Sequence, residues 1–202
     1  MLLVAAFASA RAQAAVEPQD FVRETSEQVF QALDREGDAL AQNPRRLYQM
    51  VDTLLLQHMD FARMSRWVLG KHWKTATPEQ QARFMVEFRG LLVRTYATAL
   101  AGYRGRQVRI LPQREAGDSD EMIAREVVVR TEVNQPNGPA IPVNYSLYLR
   151  DGQWKAFDVQ IDGISLIANY RATFGAEVRA AGGLEALIQA LAARNRQALN
   201  TQ

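Results

Sequence analysis

The chain has no cysteine, so no disulfide braces it in an oxidising compartment and its stability has to come from packing. Histidine is almost as scarce. His58 and His72 fall in different expected elements, and neither has a partner at ligand spacing, so no metal site is expected. Neither sign of charge is in surplus: 24 basic residues face 22 acidic ones, for a net charge of +2, which argues against broad nucleic-acid binding. No apolar run is long enough to cross a bilayer. Neither Gly-x-Gly-x-x-Gly nor Gly-Lys-Ser/Thr occurs, so phosphate loops are excluded and no cofactor is expected. The segment Gly163-Ile164-Ser165-Leu166-Ile167 approaches a nucleophile elbow but lacks its second glycine, and no histidine follows to act as base. Ser165 is therefore expected to start a helix. Asp158 and Asp162 are close enough for paired-carboxylate chemistry, although strand alternation sets Asp158 opposite Ile161 and turn residues such as Asp162 commonly cap helices.

Turning to what is there, Met1 to Ala10 is a short apolar run, and Ala12-Gln13-Ala14 after it has the small-x-small form of a signal-peptidase site. Residues 1–14 are expected to be an export signal, with the mature chain starting near Ala15 and residues 15–202 forming one domain. Nothing basic precedes Arg11, which departs from the usual basic start of such signals. A buried N-terminal helix remains the alternative.

From Pro18 to about Leu100 the period is helical. Phe21, Val22, Val29, Phe30 and Leu33 recur at helix spacing, Leu47 to Leu56 repeats the signal, and Asp60 is placed to cap a short helix closing at Gly70. Thr77-Pro78-Glu79-Gln80 reads as a capping box that opens a long helix with the stripe Phe84, Phe88, Leu91, Leu92, Tyr96 and Ala99, stopping at Gly102. After Gly105 the period changes to two. Segments at Gln107 to Leu111, Met122 to Val133, Ile141 to Arg150 and Gln153 to Ile161 alternate apolar with polar. Turn chemistry at Gly117-Asp118, Pro136-Asn137-Gly138-Pro139 and Asp151-Gly152 joins them into an antiparallel meander of about four strands. Ile141, Val143, Tyr145, Leu147 and Leu149 share one face of the third strand, so helices must cover that side. Helix resumes after Asp162-Gly163 with Ile164, Leu166, Ile167, Tyr170 and Phe174. It breaks at Gly182-Gly183, and a last helix carries Leu184, Leu187, Ile188, Leu191 and Leu199. The class is α+β.

Several of these residues form a pattern. Phe61-x-x-Met64-x-Arg66-x-Val68-Leu69-Gly70-x-x-Trp73 is followed by Ala76-Thr77-Pro78-x-Gln80, Phe84, Phe88, Leu92 and Tyr96. Later come Gly152-x-Trp154-Lys155-x-x-Asp158-Val159-x-Ile161-x-Gly163-Ile164-Ser165-Leu166-Ile167 and Tyr170-Arg171. In order and spacing this set resembles the MlaC family of toluene-tolerance auxiliary proteins, from near Phe21 to near Leu191.

The resemblance implies a fold related to nuclear transport factor 2, with helices and a curved antiparallel sheet enclosing an apolar cavity. It also implies a periplasmic phospholipid carrier that works between the two membranes of a Gram-negative envelope and so maintains outer-membrane lipid asymmetry. Its partners would be an outer-membrane lipoprotein complex and an inner-membrane ABC transporter complex. On that basis the acyl chains are expected between the sheet face of Val127, Val129, Val143, Tyr145, Leu147 and Ile161 and two helices. One helix contributes Phe84, Phe88, Leu91, Leu92 and Tyr96, the other Ile164, Leu166, Ile167 and Tyr170. Arg171 is the candidate for the head-group phosphate. Two other readings stay open: a docking module of an envelope complex with no ligand of its own, and a hydrolase or isomerase on a similar fold.

Overall fold

The computed structural model describes residues 16–112, 126–135 and 138–200. The expected export segment, the turn at Gly117-Asp118, the stretch from Met122 to Arg125, Pro136-Asn137 and the side chain of Leu199 lie outside what is described.

Among the described residues there are seven α-helices and five strands. Helix α1 (Pro18–Gln42) begins with proline in its first turn, where the missing N–H costs no hydrogen bond. Helix α2 (Pro44–Leu54) starts under Asn43, whose side chain accepts from the Arg46 N–H at 3.1 Å, and a 3-10 turn (Leu56–His58) follows. Asp60 caps α3 (Phe61–Leu69) through the Arg63 N–H at 2.9 Å. After the short α4 (Lys71–Thr75), the expected capping box forms at the start of α5 (Pro78–Ala101). There the Gln80 N–H donates to Thr77 Oγ1, and the Thr77 N–H donates to Gln80 Oε1, both at 3.2 Å.

The strands β1 (Val108–Ile110), β2 (Glu126–Val133), β3 (Ile141–Arg150), β4 (Gln153–Ile161) and β5 (Ile164–Ser165) form one antiparallel sheet in sequence order. The fifth strand corrects the expected four. Asp162 and Gly163 both take positive φ, 50° and 80°, as the mirror-image hairpin turn requires, and they fold Ile164 back beside Ile161. Asp151 and Gly152 make the same turn between β3 and β4, with φ of 51° and 75°. Helix α6 (Leu166–Ala181) consequently starts at Leu166, with Ser165 as its N-cap, and Ile164 is a strand residue and not a helical one. Helix α7 (Leu184–Asn200) closes the chain.

The interior divides into packed regions. Helices α3, α5, α6 and α7 enclose an aromatic cluster. Helices α1, α2 and the second half of α5 enclose an aliphatic one, and the N-terminal part of α1 rests on one end of the sheet. The outward sheet face is polar at Asn144 and Gln160, cross-strand neighbours joined by a 2.9 Å hydrogen bond.

Candidate functional site

The inward face of the sheet does not meet α1 and α5 along its whole length. Between them lies a cavity of about 230 Å³ that opens to the surface. An apolar cavity of roughly 150 Å³ already stays dry and takes up small hydrocarbons, so this one is large enough to hold apolar material.

Its floor is built from cross-strand pairs: Val143 with Ile161, Tyr145 with Val159, Leu147 with Ala156, and Val108 with Val133. Strict alternation would put Ala156 and Val159 on opposite faces. A register shift beside Ser146 and Leu147 leaves Phe157 without an opposite residue on β3, and this bulge returns both Ala156 and Val159 to the cavity. Phe157 itself packs on the other side, edge-on to Trp67 with ring centroids 5.2 Å apart and beside Tyr148 at 5.9 Å.

The walls are helical. α1 contributes Phe21, Val22, Thr25, Ser26, Val29 and Phe30, a stripe at i, i+1, i+4, i+5, i+8 and i+9. The end of α2 and the segment after it supply Val51, Leu55, Leu56, His58 and Met59. The C-terminal part of α5 and the turn beyond supply Leu92, Tyr96, Ala99, Leu100 and Tyr103. Leu166 completes the lining.

The few polar groups facing this space are engaged or neutral. Burial pushes the Tyr145 hydroxyl up to about 12, even though hydrogen bonds with Ser26 and Thr131 pull the other way. Thr131 in turn donates to the Val143 carbonyl at 2.7 Å. Burial likewise raises the Tyr96 hydroxyl above its ordinary value, and its hydrogen-bonded neighbour Tyr170 adds to this. His58, edge-on to Phe21 at 5.2 Å, is held below its ordinary 6.5 by burial and then by the charge of Lys155, which favours the neutral ring.

Of the residues singled out in the sequence, the structure brings Leu92, Tyr96, Val143, Tyr145, Leu147, Ile161 and Leu166 together around the cavity. It places the others elsewhere. Phe84 and Phe88 are fully buried in the aromatic cluster with Ile167, Tyr170 and Phe174, and Leu91 packs against it. Phe84 and Phe88 stack at 5.6 Å, and Phe88 meets Tyr170 edge-on at 5.4 Å. The physical reason is the length of α5. At 24 residues it spans roughly 36 Å, so one continuous stripe faces α6 and α7 in its first half and the cavity in its second. Val129 is sealed beneath Val22, and Val127 packs against the same cluster, because the start of α1 sits directly on that end of the sheet. Ile164 is 62% exposed. Arg171 lies with its guanidinium against Gly70, between α3 and α6, and not among the lining residues.

The sequence did register the α1 stripe, as spacing alone; nothing in a single helix says whether its greasy side meets other side chains or a hollow. The Asp158 and Ser165 pair is spent on architecture. Asp158 Oδ1 accepts from the N–H groups of Val159 (2.8 Å) and Ile167 (3.1 Å), its Oδ2 accepts from the Ser165 hydroxyl at 2.5 Å, and Ser165 Oγ accepts from the Ala168 N–H at 3.0 Å. The strand-to-helix junction is thereby locked. Among the described residues no cluster of metal-ligating side chains occurs and no helix is long and apolar enough to cross a membrane.

An antiparallel sheet roofed by helices over an open, apolar hollow defines an α+β cup built to enclose something greasy. The chain belongs to the MlaC protein family, whose model matches residues 23–193. It is 25% identical over 169 residues to the intermembrane phospholipid transport system binding protein MlaC of Haemophilus influenzae, covering 82% of this chain and 77% of that one. To the toluene tolerance protein ttg2D of Pseudomonas putida it is 28% identical over 162 residues, covering 80% and 73% of the two chains. Among solved structures, a phospholipid-binding protein from Ralstonia solanacearum, in complex with a phospholipid, superposes with a TM-score of 0.80 at 33% identity. That match covers 90% of this chain and 98% of the other.

Proposed function

We propose that this chain is a periplasmic phospholipid carrier that shuttles lipids between the outer and inner membranes and so helps maintain outer-membrane lipid asymmetry. The cavity carries the proposal. Its floor (Val143, Tyr145, Leu147, Ile161) and helical walls (Phe30, Leu92, Tyr96, Leu100) offer an apolar solvent to acyl chains, and its opening leaves room for a head group in water. Family membership and the phospholipid bound to the Ralstonia relative support this assignment. Residues 1–14 would direct export, and residues 15–202 would act as one lipid-binding domain. The chain would receive and deliver its cargo at an outer-membrane lipoprotein complex and an inner-membrane ABC transporter complex.

The energetics require such a device. A lipid with two chains of roughly 16 carbons loses on the order of 25 kcal/mol on entering water, at ~0.8 kcal/mol per methylene. Free diffusion between membranes is then negligible, and a dry hollow that travels with the lipid removes the share of that barrier carried by the methylenes it encloses. No catalytic step is needed, and the best-placed acid and hydroxyl, Asp158 and Ser165, are occupied in capping α6.

The test is an organic-solvent extraction of protein purified from its own periplasm, followed by a transfer assay between donor and acceptor vesicles separated by a dialysis membrane. A carrier yields a phospholipid-containing extract and speeds transfer in proportion to its concentration. An empty extract together with no transfer would refute the proposal in favour of a docking module.

A further inference from the structure

At the C-terminal end of α5 the lining of the cavity comes to the surface: Ala99 is exposed and Tyr103 half-buried. The segment leaving that end carries three arginines in six residues, Arg104, Arg106 and Arg109, and their surroundings differ. Arg104 pairs with Asp38 at 2.7 Å and reaches the Asp34 carbonyl, while the Gly105 N–H donates to the Asp34 carboxylate at 2.9 Å. Arg109, on the outward side of β1, pairs with Glu132, its cross-strand neighbour. Arg106 has no carboxylate partner among the described residues. Its guanidinium lies 4.5 Å over the ring of Tyr103, which itself lines the cavity, and it precedes by two residues Val108, another lining residue.

A guanidinium stacked on a ring uses its face and keeps the N–H donors around its edge free, in a fork that matches two oxygens of a phosphate. Its two arginine neighbours have their charge answered by Asp38 and Glu132; Arg106, beside the lining residue Tyr103, has no such counter-charge among the described residues. We infer that Arg106 binds the phosphate of a phospholipid whose tails fill the cavity, the role for which the sequence offers Arg171, a residue whose guanidinium lies against Gly70. This rests on the carrier reading of the same cavity. The ring of Tyr103 then serves twice, as wall for the first methylenes and as platform for the cation that meets the head group.

The experiment uses the delipidated mature chain and two probes carrying identical fluorescent acyl chains, a phosphatidylethanolamine and a diacylglycerol. Arg106→Gln weakens binding of the phospholipid roughly tenfold and leaves the diacylglycerol unchanged, Arg106→Lys recovers only part of that loss because an ammonium has no fork to match two oxygens, and Arg109→Gln alters neither. Inorganic phosphate alone does not compete with the phospholipid, because without tails it has no hold on the cavity. Equal loss of both probes in Arg106→Gln, or no loss of either, would overturn the assignment. Competition by inorganic phosphate that Arg106→Gln abolishes would overturn it in favour of a free-phosphate site. If the unaltered protein binds neither probe, the carrier reading itself fails.

Discussion

Tyr145 on the cavity floor and Ser26 on α1 both line the cavity, and Ser26 stands close enough to the Tyr145 hydroxyl to pull its pKa down against burial, so one polar contact joins the sheet to the helix that roofs it. Tyr145 is half-buried with its hydroxyl desolvated, and removing that hydroxyl leaves the polar groups beside it without their neighbour. Tyr145→Phe is therefore expected to cost about 1–2 kcal/mol in urea unfolding of the delipidated protein. Adding Ser26→Ala to it should cost less than the sum of the two single changes, since their shared bond is already gone. Strict additivity would show that the contact contributes nothing.

Acidification acts on His58. Its folded-state pKa is lowered from 6.5 by burial and then by Lys155, so the unfolded chain binds a proton more readily than the folded one. Stability contributed by the neutral ring is present above pH 6.5 and is lost as pH falls from there toward the depressed folded value. The melting temperature should fall between about pH 7.5 and about pH 5, and His58→Gln should make that fall shallower. An unchanged slope in His58→Gln would contradict this.

Phe88 and Leu100 sit on the same helix but in different compartments, and they should respond differently to truncation. Phe88→Ala opens a hole in a sealed aromatic cluster and is expected to cost roughly 3–5 kcal/mol of stability. Leu100→Ala merely enlarges a space that already exists, and its cost should be well under half of that. Chemical denaturation of both lipid-free variants checks it; equal losses would mean that the cavity is closed in solution.

Asp158→Asn probes the junction. It replaces a carboxylate that accepts from two backbone N–H groups and a hydroxyl, so a loss of about 1–3 kcal/mol is expected. Bound lipid should persist, because Asp158 does not line the cavity. Loss of lipid at full folded population would assign Asp158 a role at the ligand.

Much of the fold is legible in the sequence because its signals are local. Thr77 and Gln80 announce a helix start, Asp151-Gly152 a hairpin, and Ser165 a cap, each by chemistry acting within a few residues. The cavity is less legible. Periodicity shows that Phe84 and Ala99 share a stripe, but only the packing of α6 and α7 against the first part of α5 decides which of them meets protein and which meets space. The bulge at Phe157 reverses part of the alternation on β4, and no residue there signals it in advance. Asp162-Gly163 did carry its signal, the same Asp-Gly pair as the preceding turn, yet the two-residue strand it creates is too short for a period of two to show.

The central claim, that acyl chains occupy the hollow beneath the sheet, is tested most directly by native mass spectrometry of the protein purified from its own cells, with bulk added at two positions. Val143→Trp fills the floor of the cavity, whereas Ile164→Trp adds the same ring at an exposed site. The account predicts phospholipid adducts on the unaltered chain and on Ile164→Trp, and a folded but bare Val143→Trp protein. A Val143→Trp protein as fully loaded as the unaltered one would contradict it.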